Sequence, residues 1–425
     1  KNYMIKNNEY VENVLLVGVA LNIDLEKEKI FHSLDELEDL TKTAGGIVKA
    51  KLHQFRDKID AKYYIGKGKL EQIKFECQKH NISLVIFDEE LSPSQQRNLE
   101  EYLKVRVIDR TALIIDIFAM HAATNEAKLQ IELAKYMYDL PRLRSKYTMF
   151  SQQVGMIGTR GPGEKQLELD KRKIRDRISV LKDKLKYVEQ QRFVQRKERM
   201  EAPNIVLVGY TNAGKSSLLN RLTNAETYVA DQLFATLDPL ARKYILPNNQ
   251  KVIFIDTVGF IKKLPHQLVE AFKTTLDVVR YADILLHIVD VSDDFFEDNI
   301  KAVYQTFNEL KIRNIPIITF FNKIDKIEKI NVLKIHKNRN IYPNVIEGSA
   351  KTGANIELLI NKIIEILNVN TEIFEVVVPI EKYKIITNFI GKLQIDKLEY
   401  IDDKIDLIVK GKKEYIVHLK NQLGF

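Results

Sequence analysis

The chain has 425 residues, 45% of them hydrophobic and 29% charged, which excludes general disorder and, at a length where one core stops growing, favours about three domains. No stretch nears the roughly 18 to 20 apolar residues of a membrane helix and residues 1–10 lack a signal peptide's apolar core, so a cytoplasmic protein without stable membrane insertion is expected. The net charge of +8 is concentrated: residues 141–200 hold 17 Lys/Arg against 7 Asp/Glu, leaving 49 against 51 elsewhere.

Cys77 is the single cysteine, so neither an intrachain disulfide nor a cysteine-based metal cluster can form within one chain. Between 13 and 110, apolar runs (14–19, 47–55, 84–88, 105–108) alternate with helical patterns (34–42, 70–80, 93–103). That alternation predicts a small parallel α/β domain over 1–110. Ser33 with Glu36, and Ser92 before Pro93, have the spacing of helix starts. Gly66-Lys67-Gly68 opens like a dinucleotide loop, but Glu71 stands where a third glycine belongs, and a plain turn is the better reading.

Two long helical runs follow, 110–140 and about 164–200, free of internal Gly and Pro. Ile174, Ile178, Leu181, Leu185 and Val188 recur at three- and four-residue spacing, the stripe along which one helix packs on another. A helical hairpin over 111–200 is therefore expected. Its connecting loop, 141–163, carries Arg142, Arg144, Lys146, Tyr147, Phe150 and Arg160 among glycines, a basic and aromatic tip suited to phosphates and unstacked bases. The rival reading is a plain connector.

Residues 201–369 alternate strand and helix again, with strands near 204–208, 243–246, 252–256, 284–290, 316–321 and 344–346. Asn248-Asn249 predicts a hairpin, hence a mixed six-stranded sheet, parallel apart from one antiparallel edge strand. The tail, 370–425, predicts a small α+β domain: strand 374–378, helix 382–390, strands 392–400 and 404–409, helix 413–420.

The chemistry sits at the strand ends of 201–369. Gly209-Tyr210-Thr211-Asn212-Ala213-Gly214-Lys215-Ser216 follows an apolar strand and opens a helix at Ser217, the context that identifies a phosphate loop. Its amides and helix N-terminus attract phosphate, Lys215 reaches the β and γ oxygens, and Ser216 ligates Mg²⁺. Asp256-Thr257-Val258-Gly259 closes another strand, placing the Asp256 carboxylate to hold Mg²⁺ through water and the Gly259 N–H to meet the γ-phosphate. Asn322-Lys323-Ile324-Asp325 offers Asp325 to the guanine N1–H and N2–H₂, with Asn322 bracing the loop. Ser349-Ala350-Lys351 supplies a backbone N–H for guanine O6 and a lysine stem to flank the base. Thr236, within Phe234-Ala235-Thr236-Leu237-Asp238, can complete Mg²⁺ coordination while the γ-phosphate is present.

Taken together these stretches resemble the HflX-type GTPases, a ribosome-associated family. The resemblance rests also on Arg110-Thr111-Ala112-Leu113-Ile114, on Gly158 to Glu164 with Gln166-Leu167-Glu168, and on Phe260 with Leu264-Pro265-His266-Gln267-Leu268. It covers residues 12–367. The resemblance implies a GTPase that turns GTP into GDP, binds the large ribosomal subunit and its RNA with the hairpin tip directed toward the peptidyl-transferase region, splits stalled ribosomes, and is stimulated by large subunits; a monomer is expected. Lys215, Thr236 and Gly259 are the expected catalytic groups. Two departures from the general GTPase pattern stand out: Phe260 occupies the place of a water-orienting glutamine, predicting slow unassisted hydrolysis, and Gly348 replaces a β-branched residue before Ser349, predicting a looser base loop. The rival functions are a nucleotide-gated module for another RNA and an ATP-driven remodeller, the latter disfavoured by Asn322 and Asp325.

Overall fold

A computed structural model describes residues 12–21, 23–147, 162–198, 202–223, 234, 240–263, 268, 271, 278–327, 329–369, 371–389 and 393–425. The chain divides into two compact units, one drawn from Lys1–Glu189, Ala230–Asp238 and Lys262–Thr275, the other from Gln190–Val229, Pro239–Ile261 and Leu276–Phe425.

The first unit is built on a parallel sheet in the order β2-β1-β3-β4, from β1 (Asn13–Ala20), β2 (Ile47–Phe55), β3 (Leu84–Phe87) and β4 (Arg106–Asp109). Strands β1 and β3 are almost continuously apolar because helices cover both faces. Those helices are α1 (Ile23–Thr43), α2 (Lys67–Lys79), α3 (Pro93–Leu103) and α4 (Arg110–His121). Leu15, Val17, Val85 and Phe87 meet Ile73 and Leu99 in one core. Ser92 caps α3 in a reciprocal box with Gln95. Ser33 starts no helix, because α1 begins at Ile23; its hydroxyl instead donates to Asp88 at 2.6 Å.

The expected run 110–140 is two helices, α4 and α5 (Asn125–Tyr147), with the Ala127 N–H donating to the Thr124 hydroxyl at 3.1 Å where the second begins. Helix α5 continues through Pro141, which the sequence placed in the loop. Pro141 removes one backbone hydrogen bond from the helix, and the residue after it is anchored. Arg142 is buried, donating to Asp109 at 3.1 Å, to the Leu91 carbonyl at 2.8 Å and to the Tyr138 carbonyl at 3.0 Å. This corrects its expected place at an exposed tip: the guanidinium is committed to its own domain. The side chains of Arg144, Lys146, Tyr147, Phe150 and Arg160 lie outside the described residues. Helix α6 (Pro162–Glu198) buries Leu181 and Leu185, and its Arg177 bonds Glu132 of α5 at 2.8 Å.

The second unit carries a six-stranded sheet ordered β10-β9-β8-β5-β7-β6. Its strands are β5 (Asn204–Gly209), β6 (Leu240–Ile245), β7 (Lys251–Asp256), β8 (Ile284–Asp290), β9 (Ile317–Asn322) and β10 (Val345–Glu347). All neighbours are parallel except β6 against β7, the hairpin that Asn248-Asn249 predicted. Helices α7 (Lys215–Thr223), α8 (Phe296–Glu309), α9 (Lys329–Asn338) and α10 (Ile356–Val369) accompany it. An antiparallel sheet of β11 (Thr371–Pro379), β13 (Lys404–Lys412) and β12 (Gln394–Ile401) packs on α11 (Tyr383–Thr387) and α12 (Lys413–Leu423) around Val378, Ile405, Leu407, Ile416 and Leu419. Among the described residues no helix is long and apolar enough to cross a membrane.

Candidate nucleotide-binding site

Three strands of the second unit, β5, β7 and β9, end at one edge of the sheet, and parallel pairing brings their following loops together. Strand β5 delivers the chain into the loop 209–214 and then into α7. Gly214 has φ +95°, and a Cβ there would come within 2.3 Å of the Asn322 amide nitrogen, so the turn admits only glycine. Lys215 is buried at the start of α7, its ammonium donating to the Tyr210 carbonyl at 2.7 Å and the Gly209 carbonyl at 3.3 Å. Burial, helped by the charge of Lys323 and opposed by Asp256, lowers its pKa to about 8. An anion beside it would raise that pKa again and reinforce the charged form.

Asp256, the last residue of β7, is fully buried and accepts from the Ser216 hydroxyl at 2.6 Å. A carboxylate and a hydroxyl converging at this distance are hard oxygen donors, the set Mg²⁺ prefers, so the residues fit that ion. The Thr257 hydroxyl donates to the Leu207 carbonyl at 2.7 Å and fastens the next turn to β5. Phe260 is then zipped to the phosphate loop: its N–H donates to the Gly209 carbonyl at 3.0 Å, and its carbonyl accepts from the Thr211 N–H at 2.7 Å. The Phe260 ring is buried edge-on to Phe307, 6.1 Å between centroids, which makes it a core residue. Gly259 lies so close that a Cβ would meet Thr211 Cα at 2.8 Å and Lys215 Nζ at 3.0 Å.

The base side is assembled from β9 and the turn after β10. Asn322 accepts from the Ala350 N–H at 2.9 Å and donates to the Ala213 carbonyl at 2.8 Å, tying the base loops to the phosphate loop. Lys323 takes φ +65° and pairs with Asp290 at 2.7 Å. Asp325 accepts from the Ser349 hydroxyl at 2.6 Å, and that bond, ahead of the nearby lysines, holds its carboxyl below the ordinary carboxylate range. Gly348 is not a loosening residue. A Cβ there would meet the Phe320 ring at 2.6 Å and the Ala354 carbonyl at 2.7 Å, so a β-branched side chain has no room beside that ring.

Thr236, Ala235, Leu237 and Asp238, and also His266, lie outside the described residues. Phe234 is described: it has φ +59°, is buried, and sets its ring edge-on to Phe118 at 4.6 Å within the first unit. Sequence reasoning missed a charged cluster in that unit. Asp88, buried just beyond β3, pairs with Arg110 at 2.7 Å and with Lys263, and Lys263 also pairs with Glu89 at 3.1 Å. The consecutive acids after an apolar strand were the available signal.

Three family models match the chain in succession: one described as GTP-binding GTPase N-terminal over residues 32–119, one as GTP-binding GTPase Middle Region over 121–199, and one as 50S ribosome-binding GTPase over 204–323. The chain is 45% identical over 373 residues to the GTPase HflX of Caldanaerobacter subterraneus, covering 87% of this chain and 84% of that protein. It is 43% identical over 353 residues to the GTPase HflX of Escherichia coli, covering 83% of each, and 38% identical over 411 residues to that of Magnetococcus marinus, covering 96% and 94%.

Proposed function

The chain belongs to the HflX family of GTPases, and from that premise we propose that it is a Mg²⁺-dependent switch that binds the large ribosomal subunit and splits stalled ribosomes, with hydrolysis stimulated by the ribosome. The observation that carries the reading is the tie through Asn322, which joins the 349–350 turn, whose Ser349 bonds Asp325, to the phosphate loop at Ala213, the arrangement a guanine-selective carboxylate needs. The description of the matching family as a 50S ribosome-binding GTPase supports the partner.

In this reading Lys215 and the loop amides bind the phosphates and offset charge that grows on the transferring phosphoryl group as water attacks. Ser216, Asp256 and Thr236 would hold Mg²⁺, which when bound would neutralise phosphate charge. The Gly259 N–H meets the γ-phosphate. Asp325 accepts from both guanine donors, and Ser349 fixes the rotation of its carboxyl. Because the Phe260 ring is in the core and carries no hydrogen-bonding group, hydrolysis without the ribosome is slow, well below the usual enzyme range of about 1 to 10³ per second. The hairpin between α5 and α6 offers Arg144, Lys146, Tyr147, Phe150 and Arg160 to ribosomal RNA, without Arg142.

Turnover of GTP and ATP with and without purified large subunits tests the proposal. GTP hydrolysis should rise steeply with large subunits and ATP hydrolysis should not. Stimulation by unrelated RNA alone would favour the rival module.

A further inference from the structure

The carboxylate assigned to the guanine edge is held by a series of hydrogen bonds that leads out of the nucleotide motifs. Asp325 accepts from the Ser349 hydroxyl at 2.6 Å. The same Ser349 oxygen accepts from the Thr352 N–H at 3.1 Å, so its position depends on where the turn 349–354 puts Thr352. That turn is closed by the Gly353 N–H donating to the Ser349 carbonyl at 2.9 Å and the Ser349 N–H donating to the Ala354 carbonyl at 3.1 Å. Its outer side is held by a residue 131 positions before Thr352: Arg221 donates through Nη2 to the Thr352 carbonyl at 2.9 Å.

Arg221 lies in the last turn of α7, exposed, while Leu218, Leu219 and Leu222 of the same helix are buried. A basic residue at that end complements the helix dipole, and for that it needs no particular partner. Arg221 has one nonetheless, and the fit is close. Its guanidinium rests on Gly353, which takes φ +87°; an added Cβ there would stand 2.4 Å from Nη2 and 3.2 Å from Cζ. Helix α7 thus serves both halves of the site. Its first residue, Lys215, closes the phosphate loop, and its last turn holds the turn behind the base.

We propose that Arg221 is a positioning residue for guanine recognition: through Thr352 and Ser349 it fixes the rotation of the Asp325 carboxylate, and so sets how well the site separates a base offering two donors from a base offering one. The proposal rests on the assignment of Asp325 to the guanine edge made above. Two parallel hydrogen bonds to one carboxylate require its plane to match that of the base, whereas a single bond tolerates rotation. Hypoxanthine keeps N1–H and O6 but lacks the N2 amine, so it asks for the single bond. Loss of Arg221 therefore weakens guanine nucleotides more than hypoxanthine nucleotides. A residue that only stabilised the fold would weaken both alike.

The test titrates the full chain with GDP and with inosine diphosphate by calorimetry and reads the ratio of the two affinities, on which any unfolded fraction acts equally. Arg221→Ala should lower GDP affinity about fivefold and the ratio about threefold, the scale of one hydrogen bond from a charged donor at an exposed site. An unchanged ratio overturns the proposal, even where both affinities fall together. Ser349→Ala should lower the ratio at least as far, and adding Arg221→Ala to it should take nothing more away, because Arg221 acts through Ser349. Additive losses overturn that route. Asp325→Asn separates the two levels: if it keeps the wild-type ratio and GDP affinity, the base assignment itself fails; if its ratio falls while Arg221→Ala leaves the ratio unmoved, only the role of Arg221 fails.

Discussion

At the carboxyl edge of β5 the chain presents backbone N–H groups and a buried ammonium, whereas at the carboxyl edge of β3 it presents two carboxylates, Asp88 and Glu89. Both edges belong to parallel sheets wrapped in helices, so the fold alone does not decide what each one binds. The residues just past the strand decide it. After β5 the lysine's charge is supported by little besides Asp256 and two carbonyls, and burial drags its pKa down to about 8. After β3, burial pushes the Asp88 carboxyl up, but Arg110, Lys263 and Ser33 more than offset that and hold it at about 2. One edge is left needing an external anion; the other is satisfied by cations of its own chain.

Breaking the self-satisfied edge should produce the largest effect. Arg110→Ala leaves Asp88 with Lys263 and Ser33 alone and removes the buried cationic partner of Glu36, which should cost about 3 kcal/mol of unfolding free energy, the lower end of what breaking a buried ion pair costs. Lys215→Ala should leave stability unchanged or raise it, because it removes a desolvated ammonium held by two backbone carbonyls with Asp256 nearby rather than by a direct ion pair. Urea unfolding of both variants without nucleotide checks the contrast. Equal losses would mean the two edges are not built differently.

The base side offers a sharper and smaller test. Asp325→Asn should shift preference from guanine toward xanthine nucleotides, with GTP affinity falling on the order of a hundredfold, because the amide loses the double acceptor. Calorimetric titration with GTP and the xanthine analogue measures it. Retained wild-type GTP affinity would show that Asp325, despite its bond from Ser349, does not face the base.

The strands were largely legible because their signal is local. Apolar runs mark β1, β3, β5 and β8 wherever helices cover both faces. The nucleotide motifs were legible for the same reason: each is a short run at a strand end. What the sequence did not disclose depends on distant partners. Ser33 reads as a cap until α1 is seen to start ten residues earlier, and Arg142 reads as a basic tip until Asp109 and the Leu91 carbonyl are found beside it. Gly348 reads as slack until the Phe320 ring is found against it. Pro141 reads as a helix end, yet α5 runs through it because burial of the next residue offsets the lost bond.

The smallest expected effect distinguishes the two carboxylates at the β3 edge from each other. Burial pushes the Glu89 carboxyl up to about 7, with the Asp88 charge adding to the rise and Lys263 opposing it, while the Asp88 carboxyl sits at about 2. In the unfolded chain both titrate near 4. For Glu89 the native state therefore binds a proton that the unfolded state has released between about pH 4.5 and 7, and stability from this group falls as pH rises through that window. For Asp88 the sign is opposite: its contribution is present above its unfolded value and is lost as pH falls from about 4 toward 2. Glu89→Gln should thus flatten the decline between pH 5 and 7, by at most about 1.4 kcal/mol per pH unit, and leave the acid limb below pH 4 in place. Urea unfolding of wild type and variant at pH 3, 5, 6 and 7 checks this. Parallel stability curves between pH 5 and 7 would show that Glu89 is ionised throughout, with Lys263 offsetting its burial in full.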